Sequence, residues 1–249
     1  MEKEKNKIRY GLIGKNIDYS FSRAYFTQKF KDLKLENHSY ENFDFQDIND
    51  LKALLKNKEN IKGFNVTIPY KVAVISMLSA LDITAQEIGA VNTIKITPTG
   101  LKGYNTDYYG FQKAIEPMLK KHHTHALILG SGGASKAVAY VFKRLSISHS
   151  FVSRSAKKDH LTYTDLNEEV LAKYTIIVNC TPLGTFPNMD QKPDIPYRHI
   201  THKHILFDLI YNPEKTAFLL AGEAQGAEIK NGQKMLALQA EKAWEIWHS

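Results

Sequence analysis

Three polar side chains stand close together where an apolar run of the sequence ends and a proline follows. Asn65, Thr67 and Lys71 lie at the end of the run 61–66 or just beyond it. The run predicts a strand, and proline is well tolerated at the first position of a helix, so we predict a helix over 69–78. The three side chains can then converge on one pocket. Lys71 falls in a first helical turn, where the dipole favours the neutral amine that a general base requires; an exposed helix lysine is the alternative.

Four further polar residues in the first half are candidates for the lining of a pocket. Asn92 lies inside an otherwise apolar strand, and Asp107 lies where a strand ends before a helix, a place where a carboxylate can also be an N-cap. Ser20 and Ser22 flank Phe21 in the first strand–helix loop. Two hydroxyls beside a helix N-terminus can bind a carboxylate, whereas capping the helix needs only one of them.

A glycine-rich turn follows a short apolar strand in the middle of the chain. Its residues are Gly130, Ser131, Gly132, Gly133, Ala134 and Ser135. A strand, a Gly-x-Gly turn and a helix over 136–145 form the phosphate-binding start of a βαβ unit, because backbone N–H groups and the helix N-terminus face a pyrophosphate. Ser135 replaces the third glycine of the fingerprint, and an ordinary strand–turn–helix corner is the alternative.

The end of the next predicted strand, 148–152, favours NADP over NAD. An acid that holds the ribose hydroxyls of NAD is expected there, but the first acid, Asp159, comes later. The residues in its place are Ser153, Arg154 and Ser155, followed by Lys157 and Lys158. A guanidinium binds a 2′-phosphate bidentately and stacks on adenine, so we interpret this loop as the 2′-phosphate site. A solvated basic loop is the alternative.

The elements that must position these residues predict two α/β domains. In the first half, strands and helices alternate, with a hairpin around 98–100 and a connecting helix over 108–119, which indicates a small domain with a mixed sheet. The second half alternates strand and helix regularly, with strands at 127–129, 148–152, 175–179 and 205–209, which indicates a parallel, Rossmann-like sheet. We predict a substrate-binding catalytic domain over 1–107, joined by a returning C-terminal helix over 230–249, and an NADP-binding domain over 108–229.

Composition indicates an ordinary soluble globular protein. The chain has 249 residues, 43% hydrophobic and 24% charged, with no apolar run of membrane-helix length and no signal peptide at its start. A single cysteine, Cys180, in an apolar strand predicts a packed thiol and a cytoplasmic location. The net charge of +7 comes from dispersed lysines, so we expect anionic small molecules and no nucleic acid or membrane as partners. The histidine-rich segment 120–125 is interpreted as a solvated linker, and no metal is expected.

Taken in order, the motifs resemble those of shikimate dehydrogenases over about residues 9 to 247. The family's Asn-Val-Thr-x-Pro-x-Lys segment matches residues 65–71, its Gly-Ala-x-Asn-Thr matches 89–93 and its Asn-Thr-Asp matches 105–107. The glycine turn follows, and later motifs match 179–184, 208–216 and 232–239. Any one piece is weak, but the ordered set is specific.

The resemblance implies the NADPH-dependent reduction of 3-dehydroshikimate to shikimate in aromatic amino acid biosynthesis. It assigns Lys71 and Asp107 as the catalytic pair, with Asp107 orienting Lys71, and Ser20 and Ser22 as ligands of the substrate carboxylate. The residues that it assigns to substrate hydroxyls are Asn65, Thr67, Asn92 and Gln239; Tyr211 is placed near the carboxylate, and Thr181 and Gly232 are assigned to the cofactor. We expect the active site in the cleft between the domains, in a monomer or a homodimer.

Four residues depart from the family's pattern. Arg23 replaces a proline, Tyr19 and Phe26 replace histidines, and Thr185 replaces a methionine. None of them removes a proposed catalytic group. A quinate/shikimate dehydrogenase that uses both NAD and NADP, and an NADP-binding regulatory protein without catalysis, remain the alternatives.

Overall fold

The computed structural model describes residues 7–17, 20–56 and 60–249, and it divides the chain into two compact units. The first unit comprises Met1–Thr106 and Ala240–Ser249, and the second comprises Asp107–Gln239. The roles and boundaries predicted for the two domains remain predictions.

The first unit is built on a six-stranded mixed sheet, as predicted. Its strands, in the order in which they lie side by side, are β2 (His38–Asp44), β1 (Ile8–Gly14), β3 (Ile61–Val66), β5 (Thr93–Thr97), β6 (Gly100–Tyr104) and β4 (Ala80–Leu81). β1 pairs in parallel with both β2 and β3, whereas β5 pairs antiparallel with β3 and with β6 across the predicted hairpin. The polar ends of β3 and β5 therefore lie side by side.

The helices of the first unit are α1 (Phe21–Asp32), α2 (Asp50–Lys56) and α3 (Ile83–Ile88). α3 and the two-residue strand β4 were not predicted. Asp82 caps α3 by accepting a hydrogen bond from the Thr84 amide at 3.0 Å, and Gly89 ends it with φ +67°, a left-handed conformation that suits glycine. The short helix thus has an ordinary N-cap and an ordinary C-terminal glycine, but a prediction based on hydrophobic periodicity alone does not detect them.

The helix predicted over 69–78 is wrong. The Ile68–Pro69 peptide bond is cis, residues 68–72 form turns, and only Ala73–Met77 coil into a 3-10 helix. β-Branched side chains lose χ1 freedom in a helix, and Val74 is instead fully buried against the core of the sheet. Lys71 therefore lies in a turn, and the helix dipole invoked for it is missing.

The second unit is built on a six-stranded sheet in which every pair of strands is parallel. Its strands, side by side, are β12 (Glu228–Lys230), β11 (Ile205–Asp208), β10 (Ile176–Asn179), β7 (His125–Leu129), β8 (Ser148–Ser153) and β9 (His160–Thr162). The chain runs outward from β7 in one direction and from β10 in the other, which is the doubly wound order of dinucleotide-binding folds. Ligands of such sheets bind at the carboxyl ends of the strands where this order reverses, so the crevice beyond β7 and β10 is the expected place for a cofactor.

The helices of the second unit are α4 (Asp107–Ile115), α5 (Gly133–Arg144), α6 (Glu168–Lys173), α7 (Ala217–Glu223) and the first turns of α8 (Gln233–His248). The connecting helix predicted over 108–119 ends early, and Glu116–Met118 form a 3-10 turn, because the proline at 117 cannot donate an α-helical hydrogen bond. The last turns of α8 belong to the first unit, where Trp247 Nε1 donates to the Ile94 carbonyl at 3.0 Å.

The interpretation of 120–125 as a solvated linker is wrong for His123. Its side chain is only 5% exposed, its Nδ1 accepts from the Lys120 amide at 2.9 Å, and its Nε2 lies 3.0 Å from the Lys203 carbonyl. Composition alone gave no sign of these partners, because Lys203 is distant in the sequence.

In the described part of the chain, every helix is too short or too polar to cross a membrane.

Candidate functional site

A network of buried polar side chains connects the ends of β3, β5 and β6 in the first unit. Asn65 Nδ2 lies 3.2 Å from Thr93 Oγ1 and 3.3 Å from the Asn92 carbonyl. Asn92 Oδ1 accepts from the Thr106 amide at 2.6 Å, and Asn92 Nδ2 donates to Thr106 Oγ1 at 3.0 Å. Asn65, Asn92, Thr93 and Thr106 are all at most 4% exposed. The structure thus brings together two predicted hydroxyl ligands, Asn65 and Asn92, in one hydrogen-bonded network.

Asn92 was predicted to lie inside a strand, but it lies directly before β5. Its amide donates to the Tyr104 carbonyl at 3.1 Å, and its carbonyl accepts from the Val66 amide at 2.8 Å. The backbone is therefore hydrogen-bonded on both sides, and the side chain at this position is fixed as firmly as a strand would fix it.

The turn that carries Lys71 is tied to the same network through the backbone. The Val91 amide donates to the Lys71 carbonyl at 2.7 Å, so Lys71 lies beside the residue that precedes Asn92. Thr67, at the start of this segment, donates its amide to the Ile13 carbonyl at 2.8 Å and is half-buried, as is Lys71. Lys71 is thereby held at the edge of the buried network rather than in a helix.

The two serines before and within α1 differ in their surroundings. Ser20 is the N-cap of α1, and its Oγ accepts from the Ser22 amide at 3.2 Å. Ser22 is buried, 8% exposed, and makes a side-chain hydrogen bond with Tyr40. The capping alternative therefore holds for Ser20, whose hydroxyl hydrogen stays available for a second partner, whereas it does not account for Ser22.

In the second unit, Asp107 is the first residue of α4 and is 5% exposed. Gly110 lies one turn later on the same face, and a Cβ there would collide with the Met235 carbonyl and reach 3.2 Å from Gln239 Cβ. α4 and α8 thus approach closely at a glycine, and Gln239 lies beside the face that carries Asp107. Sequence reasoning assigned both residues but did not predict that glycine allows their helices to meet.

Asp107 also lies within electrostatic reach of Cys180, the residue that follows β10. Burial, together with the carboxylates of Asp208 and Asp107, raises the pKa of the Cys180 thiol well above its usual value. This half-buried thiol stays protonated at neutral pH, which agrees with the prediction of a packed cysteine and not with a nucleophile. The first turn of α4 is therefore close to the carboxyl edge of the parallel sheet.

The glycine turn lies at the reversal of strand order, beyond the end of β7. Gly130 has φ +99°, a conformation that side-chain-bearing residues rarely adopt, and a Cβ there would reach 3.2 Å from Thr181 Cγ2. Gly132 is the N-cap of α5, and a Cβ there would meet nothing within 4 Å. Ser135 is buried, and its hydroxyl donates to the Gly132 carbonyl at 2.7 Å, so a serine closes the turn where the fingerprint has a third glycine.

The remaining residues of the glycine turn are exposed or half-buried. Ser131 and Gly132 are exposed, and Gly133 and Ala134 begin α5 with partly accessible backbone. The first amides of α5 point out of the helix N-terminus without an intrahelical acceptor, which is an arrangement suited to phosphate.

The loop after β8 carries the predicted 2′-phosphate ligands. Ser153 is buried and its hydroxyl donates to the Ser155 carbonyl at 2.6 Å, which shapes the turn, while Arg154, Ser155 and Lys158 are exposed. Lys157 Nζ lies 3.3 Å from Ser131 Oγ in the glycine turn. Lys157, a member of the predicted basic run, thus connects the loop after β8 to the glycine turn.

Asp208, Asn179 and Thr216 form a fully buried, hydrogen-bonded group, the Asp208 triad, which holds the loop after β10. The Asp208 carboxylate accepts from Asn179 Nδ2 at 3.1 Å, from Thr216 Oγ1 at 2.6 Å and from the Ile210 amide at 3.0 Å. Asn179 Oδ1 in turn accepts from Thr181 Oγ1 at 2.7 Å. Burial raises the pKa of Asp208 to about 6, and its three donors oppose that rise. The carboxylate is therefore ionised at neutral pH, and it fixes Thr181 through Asn179.

Two predicted ligands lie on the loops beyond β11 and β12. Gly232 donates its amide to the Ile210 carbonyl at 2.9 Å, and a Cβ there would collide with the Leu209 backbone, so only glycine fits. Tyr211, one residue after Ile210, is half-buried in the same loop. The loops that follow β11 and β12 are thus joined at the carboxyl edge of the sheet.

The departures from the family's pattern have separate outcomes. Phe26 is fully buried and stacks on Tyr40, with ring centroids 4.6 Å apart. Arg23 is exposed and Thr185 is half-buried beside Gly184, whereas Tyr19 lies outside the described residues. Within the described ranges, groups of three or more His, Cys, Asp or Glu side chains that could hold a metal ion are not found.

Comparison with known proteins identifies relatives of both units. The model of the family described as shikimate dehydrogenase substrate binding domain matches residues 12–94. A shikimate dehydrogenase (NADP(+)) of Methanococcus vannielii is 36% identical over 261 residues, covering 96% of this chain and 91% of its own. A solved shikimate dehydrogenase in complex with NADP+ shares 33% identity with a TM-score of 0.85 and covers 97% of this chain and 90% of its own. The Thermus thermophilus enzyme, solved with NADP(H) and shikimate, shares 29% identity with a TM-score of 0.85 and covers 96% and 93%.

Proposed function

The chain belongs to the shikimate dehydrogenase family, and we propose that Lys71 and Asp107 are the acid–base pair of its reaction. That reaction is the reduction of 3-dehydroshikimate to shikimate with NADPH, which makes the chain an NADP-dependent oxidoreductase. The observation that supports the pair best is the place of Asn92 between the two residues. Its side chain accepts from the amide of Thr106, the residue before Asp107. The residue before Asn92, Val91, donates its amide to the Lys71 carbonyl.

The residues of the second unit fit NADP at the carboxyl edge of the parallel sheet. Gly130 and Gly132 leave room for a pyrophosphate at the N-terminus of α5, and Arg154 and Lys157 supply cations for a 2′-phosphate. The Asp208 triad holds Thr181 against the same turn. When bound, NADPH supplies the hydride that reduces the ketone carbon of the substrate.

The chain's own residues stabilise and neutralise the negative charge that this reduction creates. Negative charge builds on the ketone oxygen, and a cation within hydrogen-bond reach stabilises that charge and delivers the proton. We assign this role to the Lys71 ammonium, which donates its proton to the oxygen, gives the alcohol and regains a proton from water. Asp107 supplies the carboxylate of the pair. In the reverse direction the neutral Lys71 amine accepts the proton of the substrate hydroxyl.

Substrate binding is proposed for the buried network and its neighbours. The hydroxyls of Ser20 and Ser22 bind the carboxylate at the N-terminus of α1, where the positive end of the helix dipole favours an anion. Asn65, Thr67, Asn92 and Gln239 hold the ring hydroxyls, and Tyr211 lies near the carboxylate. Arg23, next to Ser22, adds a cation to this carboxylate site. A cytoplasmic location and a monomeric or homodimeric state also remain proposals.

A steady-state assay of the purified chain tests the proposed function. Shikimate with NADP+ gives reduced cofactor, and replacing NADP+ by NAD+ lowers kcat/KM at least tenfold, because the loop after β8 offers cations in place of an acid. Replacing shikimate by quinate tests tolerance at the ring. Equal efficiency with NAD+ supports the dual-cofactor quinate/shikimate alternative, and absence of turnover with every pair supports the regulatory alternative.

A further inference from the structure

Tyr40 in β2 is a polar residue that the sequence motifs leave unassigned, yet its hydroxyl lies among the proposed substrate ligands. The hydroxyl donates to Asn65 Oδ1 at 2.8 Å, and Tyr40 is only 5% exposed. Burial raises the pKa of Tyr40, and a side-chain hydrogen bond with Ser22 opposes that rise. One hydroxyl therefore contacts a proposed hydroxyl ligand and a proposed carboxylate ligand at the same time.

The direction of each hydrogen bond follows from the groups present. The Asn92 carbonyl can only accept, so Asn65 must turn its Nδ2 towards it and its Oδ1 towards Tyr40. Asn65 Oδ1 can only accept, so the single hydroxyl hydrogen of Tyr40 goes to it. Tyr40 is thus a donor to Asn65 and an acceptor from Ser22, and it makes the shortest of the Asn65 side-chain hydrogen bonds described above.

The amide plane of Asn65 depends on these bonds. The final torsion of asparagine has a broad energy profile, so partners rather than a rotamer well fix its orientation. The two donor contacts of Asn65, at 3.2 and 3.3 Å, are long, whereas the bond from Tyr40 is 2.8 Å. Removing the tyrosine hydroxyl therefore releases the amide and leaves a buried oxygen without its donor.

The ring of Tyr40 is itself held in place. It stacks on Phe26 with centroids 4.6 Å apart and an interplanar angle of 11°, and Trp247 lies 6.5 Å away. Phe26 stands where the family has a histidine, and a phenyl ring offers no hydrogen bond to Ser22 or Asn65. In this chain the aromatic face fixes the position of the hydroxyl, and the hydroxyl carries the polar contacts.

We propose that Tyr40 is a positioning residue for substrate binding, which orients the Asn65 amide, and Ser22 beside it, for contact with shikimate. The proposal rests on the proposed function, because Asn65 and Ser22 are substrate ligands only within it. Tyr40 acts through Asn65 and Ser22, so we expect its effect on the affinity for shikimate.

The test compares Tyr40→Phe with Tyr10→Phe. Tyr10 belongs to the same buried aromatic cluster and stacks on Trp247 at 4.7 Å, but its hydroxyl faces His248 at 3.4 Å instead of a proposed ligand. Tyr40→Phe raises the KM for shikimate about five- to tenfold, the effect of one net hydrogen bond, while the KM for NADP+ and kcat stay within twofold. Tyr10→Phe leaves all three unchanged. An unchanged KM in Tyr40→Phe, or an equal rise in Tyr10→Phe, overturns the proposal.

The variant Asn65→Ala separates this proposal from the proposed function. A raised KM for shikimate in Asn65→Ala, with no change in Tyr40→Phe, rejects the role of Tyr40 alone. A normal KM in Asn65→Ala rejects the substrate role of Asn65 and the Tyr40 proposal with it. In the double variant, the rise in KM is smaller than the product of the two single effects, because Tyr40 acts in part through Asn65; fully multiplied effects would contradict a positioning role.

Discussion

The two proposed binding regions, the substrate side of the first unit and the cofactor side of the second, are built in different ways. On the substrate side, Asn65, Asn92 and Thr106 are buried and bind one another through side chains. On the cofactor side, Gly130 and Gly132 shape a backbone turn, and the cations around it are exposed. The first region therefore depends on single polar atoms in fixed positions, whereas the second depends on backbone conformation and on charge.

This difference predicts different responses to substitution. A change in the substrate-side network leaves a buried donor or acceptor without a partner, so that stability and substrate affinity fall together. A change on the cofactor side alters either the space available to the cofactor or the charge near it. The affinity for the cofactor should therefore depend on side-chain size and on salt concentration. The predictions below test this contrast, in order of decreasing expected effect.

Asn92→Ala is expected to have the largest effect on stability. It removes the acceptor of the buried Thr106 amide, and such an orphaned group costs about 2 to 3 kcal/mol of unfolding free energy. The KM for shikimate rises as well, because Asn92 is itself a proposed ligand of a ring hydroxyl. Urea unfolding and initial rates measure both. Asn49→Ala, at an exposed position, is the control; an equal loss there, or a loss below about 0.5 kcal/mol at Asn92, would speak against a coupled network.

A pair of glycine variants separates backbone strain from cofactor contact. Gly130→Ala costs about 1 to 3 kcal/mol of unfolding free energy, because φ is +99° and the new Cβ lies 3.2 Å from Thr181 Cγ2. Gly132→Ala leaves the melting temperature unchanged, since its Cβ meets nothing within 4 Å, but raises the KM for NADP+ by blocking close approach of the pyrophosphate. Thermal melts and cofactor titrations distinguish the two. A stable Gly130→Ala with normal affinity for NADP+ would refute the account of this turn.

Arg154→Ala tests charge on the cofactor side. We expect the KM for NADP+ to rise about tenfold and its salt dependence to weaken, since a guanidinium–phosphate contact is lost. The KM for NAD+ and the KM for shikimate stay unchanged. Lys143→Ala, at an exposed position late in α5 and outside this loop, serves as the comparison for a general change of charge. Equal rises for both nucleotides would place Arg154 away from the 2′-phosphate.

Two buried histidines of the second unit give the smallest expected effect, a loss of stability in mild acid. Each of His123 and His204 accepts a backbone amide at Nδ1 and faces a carbonyl with Nε2, an arrangement that requires the neutral ring. Burial, together with the nearby side chains of His122 and Lys120, lowers the pKa of His123 below 6.5, and burial lowers that of His204 in the same direction. Carbonyl contacts with Lys203 and Leu171, and the Glu228 carboxylate near His123, oppose these shifts.

The sign of the pH effect follows from these shifts. The unfolded chain binds protons at these histidines as pH falls through about 6.5, and the folded chain does so only at lower pH, so stability is full above that value and declines below it. Asp208 acts in the opposite sense as pH falls through about 6, because its pKa is raised in the folded chain, and it offsets part of the loss from the two histidines. Unfolding free energies from pH 7.5 to pH 6 should therefore decrease. A constant or rising stability over this range contradicts the assignment.

The sequence predicted the sheets well because their strands carry strong apolar runs and the glycine turn stands in its expected context. It failed at 69–78, where a proline at a tolerated helix-start position predicted a helix, although these residues form turns and a 3-10 helix whose Val74 is buried in the core. It also missed the partners of His123 and the hydroxyl of Tyr40, because both depend on residues distant in the chain. The assigned roles of the site residues remain predictions, since they depend on substrate and cofactor.

The most direct test of the central claim is the turnover of Lys71→Ala with shikimate and NADP+. We expect kcat to fall by at least about 100-fold, the lower end of what general acid–base catalysis contributes, with the KM for shikimate changed only modestly. The fold is preserved, because the Lys71 backbone carbonyl, which binds the Val91 amide, is kept in the variant. Near-normal turnover in this variant would contradict the assignment of Lys71 as the proton donor.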